Sequence, residues 1–235
     1  MNDLNIELRQ WALAVHQRLL AFYGQPTWRP ALSPIDELIS TILSQNTNDK
    51  NRDMAYNNLR ARLPTWEAVR DAELVEVVQA IRPAGLANQK GARILTVLKE
   101  ITAERGSLEL EFLRSLPREE ALAWLRHFNG VGPKTAAIVM QFALGVPAMP
   151  VDTHIYRVTG RIGLRPVRMS VEQTHVQMER LLPPEAYYAA HLNLIRLGRE
   201  ICHPRKPNCP ACPVKELCVF YMDGKTGSKS NIPSG

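Results

Sequence analysis

Apolar residues recur along this chain every three to four positions, and almost nowhere in strict alternation. Leu8, Trp11, Ala12, Val15, Leu19 and Phe22 predict an N-terminal amphipathic helix that stops at Gly24 and Pro26. Ser33-Pro34-Ile35-Asp36 reads as an N-cap, a proline in the first turn and an acid at the third helical position. Ile35, Leu38, Ile39, Ile42 and Leu43 then form one buried face. Further helices are predicted at about 50–62, 65–70, 71–81 (opening at Asp71) and 88–104, with another after Ser107. Ser115 with Pro117 is expected to open a helix that closes near Phe128. Ser170-Val171-Glu172-Gln173 has capping-box spacing, Pro183-Pro184 ends that helix, and a last long one covers about 185–200. The polar, Gly/Ser-rich tail beyond Tyr221 is expected to fray. No segment reads as a strand, so the predicted fold class is all-α, with no internal repeat and no interdomain linker.

Composition changes little in that picture. The 45% hydrophobic and 22% charged residues are those of an ordinary globular protein. A net charge of +6 favours a polyanionic partner. The first residues, MNDLNIELRQ, lack the apolar core of a signal peptide, and no window approaches eighteen uninterrupted apolar residues. The expectation is a cytoplasmic, nucleoid-associated protein that does not enter a membrane.

The four cysteines lie within seventeen residues, as C-x6-C-x2-C-x5-C at Cys202, Cys209, Cys212 and Cys218. Such clustering points to a metal centre rather than to disulfides. Zinc sites usually pair two short knuckles, and only one is present, so the unequal spacing favours an iron–sulfur cluster over zinc. Arg205 and Lys206 would sit on the loop between the first two cysteines, as DNA phosphate contacts or as a solvated charge pair.

The stretch Asn129-Gly130-Val131-Gly132-Pro133-Lys134-Thr135-Ala136 carries two glycines around one apolar residue, then a proline where a helix should start. Glycines permit close backbone approach, and the free N–H groups of the next helix point outward. Gly130, Val131 and Gly132 are therefore candidate contacts to a DNA phosphate, or simply a tight turn plugged by Val131. Lys134, in the first helical turn, suits an amine nucleophile if the helix N-terminus and partial desolvation disfavour its charge, or it grips phosphate. Asp152, in Val151-Asp152-Thr153-His154, is placed to cap the following helix; the same carboxylate could stabilise positive charge on a sugar. His154 and Tyr156 read as packing or orienting residues.

The hairpin GVGPKTA, the downstream VDTH and the cysteine spacing together resemble the helix-hairpin-helix-GPD DNA glycosylase superfamily, and within it the endonuclease III group, from about Ser33 to Cys218. The resemblance implies two helical domains with a DNA cleft between them: a six-helix barrel over residues 31–146, and a discontinuous cluster domain from 1–30 and 147–235. It implies that Lys134 is the Schiff-base nucleophile and Asp152 the catalytic carboxylate. It implies that Cys202, Cys209, Cys212 and Cys218 hold a [4Fe-4S] cluster with a structural or redox-sensing part. Gln45 would fill the gap left by a flipped base, and Leu86 would be the apolar wedge opposite it. The chain departs from the family pattern at Asn46, Asn48, Phe128-Asn129 and Pro133.

The function so implied is a monomeric, bifunctional DNA glycosylase and abasic-site lyase of base excision repair. Its substrate would be duplex DNA with oxidised pyrimidines or abasic sites. The alternatives are a monofunctional adenine or mismatch glycosylase, a DNA-binding module without chemistry, and a zinc-containing nucleic-acid adaptor.

Overall fold

The computed structural model describes residues 3–30 and 32–226. Among them the chain is helical throughout, with no strand. The order is α1 (Asp3–Tyr23), α2 (Pro34–Ser44), α3 (Asp49–Arg62), α4 (Trp66–Asp71), α5 (Leu74–Ala80) and α6 (Ala87–Arg105). There follow α7 (Arg118–His127), α8 (Pro133–Ile138), α9 (Thr153–Ile162), α10 (Val171–Leu181), α11 (Tyr187–Glu200) and α12 (Val219–Thr226). None of these helices is long and apolar enough to cross a membrane.

The described residues divide into two compact units. One comprises the chain up to Trp28 together with the chain from Pro147 onward, and the other Arg29–Val146. In the first unit, α1 joins the far end of the sequence because its apolar stripe has nowhere else to be buried. Val15 and Leu19 pack in one core with Ile155, Val158, Leu194 and Leu197. Asn193 Nδ2 donates to Gly24 O at 3.2 Å, and Arg196 lies 4.2 Å over the Tyr23 ring, which fixes where α1 stops. In the second unit the predicted face of α2 is fully buried, with Leu38, Ile39, Ile42 and Leu43 all at 0% exposure.

Helix ends follow their local chemistry. Ser33 accepts from Asp36 N at the start of α2, and Ser170 with Gln173 forms the complete capping box of α10. Asp71, expected to open a helix, instead closes α4. Its carboxylate is drawn to Arg70 (2.6 Å), and α5 starts at Leu74 without a side-chain cap. Ser115 is likewise the end of a 3-10 turn (Glu111–Ser115), where its hydroxyl donates to Phe112 O, so α7 opens at Arg118 after Pro117. The segment after Ser107 forms no α-helix before that turn. Past α8 the apolar run widens into a π-turn over Val139–Ala143. Beyond Tyr221 the chain stays helical to Thr226, and the rest of the tail expected to fray lies outside the described residues.

Candidate functional site

The hairpin between α7 and α8 is built as the glycine spacing requires. Gly130 has φ +86°, and a Cβ added there would meet Arg93 Nε at 1.9 Å, so both backbone and packing demand glycine. Around Gly132 a Cβ would meet nothing within 4 Å, leaving the backbone open to a ligand. Gly132 caps α8 without a side chain, and the next N–H groups have no side-chain acceptor to satisfy them. The side chain of Val131 is 3% exposed and its N–H donates to Phe128 O at 3.0 Å. It is a plug under the turn, and a backbone contact there falls to the glycines. Lys134, in the first turn of α8, is exposed, and its amine has no hydrogen-bond or ion-pair partner among the described residues.

Two segments of the same unit present the predicted stack-entering residues. Gln45 is the C-cap of α2, half-buried, with Nε2 donating to Gly130 O (3.2 Å) and Oε1 accepting from Arg93 Nη1 (2.6 Å). Leu86 precedes α6 and stands 50% exposed in the left-handed region (φ 49°, ψ 34°). Among the described residues, the non-glycine positions with positive φ are Asn46, Leu86 and Lys206, each in or beside a loop expected to meet DNA. Asparagine tolerates that conformation, which accounts for Asn46, but leucine does not. A large apolar side chain held out to solvent on a strained backbone is the kind of cost that persists where function needs it. Leu86→Gly removes this strain and Leu86→Ala retains it. Urea unfolding is expected to rank the glycine variant about 1 kcal/mol the more stable; equal stabilities would remove the argument from strain.

In the other unit, Asp152 caps α9, accepting from Ile155 N through Oδ1 at 2.7 Å. Among the described residues its second oxygen has no hydrogen-bond partner. The preceding loop is fastened from α10 and α11: Glu179 accepts from Met149 N (3.1 Å), and the buried His175 and His191 rings meet Met149 O (3.0 Å) and Pro150 O (2.9 Å). Asparagine caps as well as aspartate does, so the capping role of Asp152 can be separated from any chemistry of its carboxylate. Asp152→Asn is expected to hold stability within about 0.5 kcal/mol while slowing base excision about a hundredfold or more. Asp152→Ala also loses about 1 kcal/mol of capping. Single-turnover rates alongside denaturant melts measure both. His154 packs beneath Gly198 and contacts Arg157, and Tyr156 donates to Met169 O, structural parts as expected.

Cys202, Cys209, Cys212 and Cys218 all line one pocket, and none is in a disulfide. Among the described residues no three His, Cys, Asp or Glu side chains converge tightly enough to hold a single metal ion. Burial pushes the Cys212 thiol up to about 11, so a metal would have to displace its proton. Arg161 ties the loop down: its guanidinium donates to Cys202 Sγ (3.3 Å), His203 O (2.7 Å) and Pro204 O (2.8 Å). Arg205 and Lys206 stand exposed at the tip.

Residues 39–184, more than half of the chain, match the family described as HhH-GPD superfamily base excision DNA repair protein. The chain belongs to that superfamily. Within it this is an endonuclease III-like DNA glycosylase. It is 32% identical over 201 residues to endonuclease III of Thermotoga maritima, covering 84% of this chain and 88% of that protein. It is 38% identical over 176 residues to a putative DNA glycosylase of Arabidopsis thaliana, covering 75% of this chain but only 60% of the plant protein. Among solved structures it resembles a trapped endonuclease III–DNA covalent intermediate, an estranged-adenine complex, with TM-score 0.80 and 27% identity over 92% of this chain and 98% of the other.

Sequence reasoning missed several residues of this glycosylase that hold the site. Arg161 occupies the last turn of α9, where a cation is unremarkable. Arg93 lies mid-helix in α6, and nothing in the sequence links it to a hairpin 37 positions away. Lys90 did leave a signal, because it falls on the apolar stripe Ile94, Val97, Leu98 and Ile101 of α6, where a charge does not belong.

Proposed function

We propose that this glycosylase is bifunctional: it removes oxidised or ring-saturated pyrimidines from duplex DNA and then cuts the strand at the resulting abasic site. The observation that carries the reading is Lys134, an exposed amine without a partner, in the first turn after a glycine hairpin whose backbone is open to a phosphate. Similarity to a protein trapped covalently on DNA supports the same chemistry.

In the proposed reaction the neutral Lys134 amine attacks C1′ of the extruded nucleotide, and the glycosidic bond breaks with its electron pair leaving on the base. The amine sheds its proton, and opening of the sugar ring gives an imine. Loss of a C2′ proton then expels the 3′ phosphate by β-elimination. Asp152 is assigned the carboxylate that stabilises the positive charge growing on the sugar. Gly130 and Gly132 would grip a phosphate through the backbone, with Arg205 and Lys206 as further phosphate contacts. Gln45 would occupy the space vacated by the base, with Leu86 as the apolar wedge opposite it, offsetting part of the few kcal/mol that unstacking costs.

Cys202, Cys209, Cys212 and Cys218 would hold a [4Fe-4S] cluster. The support is that four free thiols, unequally spaced along one loop, line one pocket. Such a group supplies cross-linking of the loop at 202–218, which places Arg205 and Lys206. Purified protein is expected to contain about four iron atoms per chain, with absorbance near 400 nm. Cys212→Ser should lose both, whereas zinc without visible absorbance would refute the cluster.

The test of the function is single-turnover incubation with duplexes carrying one modified pyrimidine, the products being resolved with and without alkali. Strand breaks appearing without alkali, at the rate of base release, are expected. Breaks appearing only after alkali would identify a monofunctional enzyme.

A further inference from the structure

Gln45 is held by an arrangement that specifies more than its position. Its amide is engaged at both ends, Nε2 donating to Gly130 O at 3.2 Å and Oε1 accepting from Arg93 Nη1 at 2.6 Å. A guanidinium can only donate and a backbone carbonyl can only accept. Of the two ways the amide can face, one satisfies both neighbours, and the other sets donor against donor and acceptor against acceptor. The Arg93 side chain lies directly against Gly130, which has no Cβ to displace it. Among the described residues Arg93 has no carboxylate partner, so its charge is directed at the amide oxygen rather than at an ion pair.

An amide held in this way has one N–H and one oxygen lone pair left over, in a fixed order. We infer that Arg93 is a positioning residue that fixes the facing of the Gln45 amide, and through it the choice of base tolerated opposite the lesion. This rests on Gln45 entering the stack, as proposed above. An unpaired base presents its own donors and acceptors in an order that differs among the four bases. A Gln45 amide of fixed facing therefore matches some and opposes others, while a freely flipping amide would match all of them alike.

The test is the excision rate of one lesion opposite each of the four bases. It compares the wild-type protein with Arg93→Ala, Arg93→Lys, Arg93→Gln, Gln45→Ala and the double variant Arg93→Ala/Gln45→Ala. Thermal melts confirm that each variant is folded. Wild type is expected to show a spread among opposite bases, and Arg93→Ala to shrink that spread about tenfold, the scale of one charge-assisted hydrogen bond. Arg93→Lys, which can only donate, should restore most of it; Arg93→Gln, which can donate or accept, should not. The double variant should match Gln45→Ala alone, because Arg93 acts through Gln45. The inference is overturned if Arg93→Ala keeps the wild-type spread while Gln45→Ala loses it. It is equally overturned if the lysine and glutamine variants behave alike, if the two effects add, or if wild type shows no spread. Gln45→Ala with wild-type rates and spread would overturn the stack-entering reading as well.

Discussion

Lys134→Ala is expected to lose strand cleavage about a thousandfold or more, the scale on which removing a covalent nucleophile acts. The fold should be untouched, because the side chain is exposed and has no partner to strand. Affinity for undamaged duplex should fall only by the share of one surface cation, visible as a slightly shallower salt dependence. Lys134→Arg sharpens the comparison: it keeps the charge, and so any phosphate contact, but arginine stays protonated and cannot attack C1′. Cleavage lost in both variants with binding retained is the expected pattern, measured by gel-resolved single turnovers and by binding isotherms at two salt concentrations. Cleavage retained in the arginine variant would make Lys134 a phosphate anchor and move the chemistry elsewhere.

Lys90 carries the second large effect, on stability. The residue is 1% exposed, and its amine donates to Leu43 O and Ala84 O, both at 2.8 Å. Those carbonyls lie two residues before Gln45 and two before Leu86, so one buried ammonium joins the segments that present both residues. Lys90→Ala leaves a cavity and two unpaired carbonyls, and should cost about 3–5 kcal/mol. Lys90→Met fills the volume but leaves the carbonyls unpaired, and should cost about 1–3 kcal/mol. Burial, with the nearby Arg93 charge second, lowers the Lys90 pKa from the ordinary 10.5. The folded protein then holds fewer protons at this site than the unfolded chain between the lowered value and 10.5. The cost of burying the charge is thus present below that window and is relieved as pH rises through it. The stability difference between wild type and Lys90→Met should therefore grow as pH approaches 10.5. A difference independent of pH would mean the ammonium is not desolvated.

How far the sequence carries the structure depends on which interactions are local. The all-helical class, the stop of α1 at Gly24, the buried face of α2 and the caps at Ser33, Asp152 and Ser170 all rest on residues within one or two turns of each other, and all were legible. The misreadings at Asp71 and Ser115 have one cause. A capping-type side chain was assigned to the helix ahead, while its bond goes to a neighbour behind. The helix beyond Cys218 was not anticipated, because its polar residues read as tail. The helix-start positions of Lys134 and Asp152 were legible from the residues around them, and the clustering of the cysteines from their spacing, whereas the chemistry expected of Lys134 and Asp152 came from the family resemblance. Gln45 and Leu86 were visible only through resemblance to a family, since a helix-end amide and a lone leucine have no signature. Arg93 was invisible, because its bond to Gln45 spans 48 positions and exists only once α2, α6 and the hairpin are packed.

The central claim is that the Lys134 amine becomes covalently joined to C1′. Borohydride reduction of the protein with duplex DNA containing one abasic site, followed by digestion and mapping of the cross-linked peptide, tests it most directly. The account predicts a stable adduct on the peptide beginning at the hairpin, with the sugar remnant on Lys134. No adduct from folded wild-type protein, or an adduct on a different lysine, would contradict it.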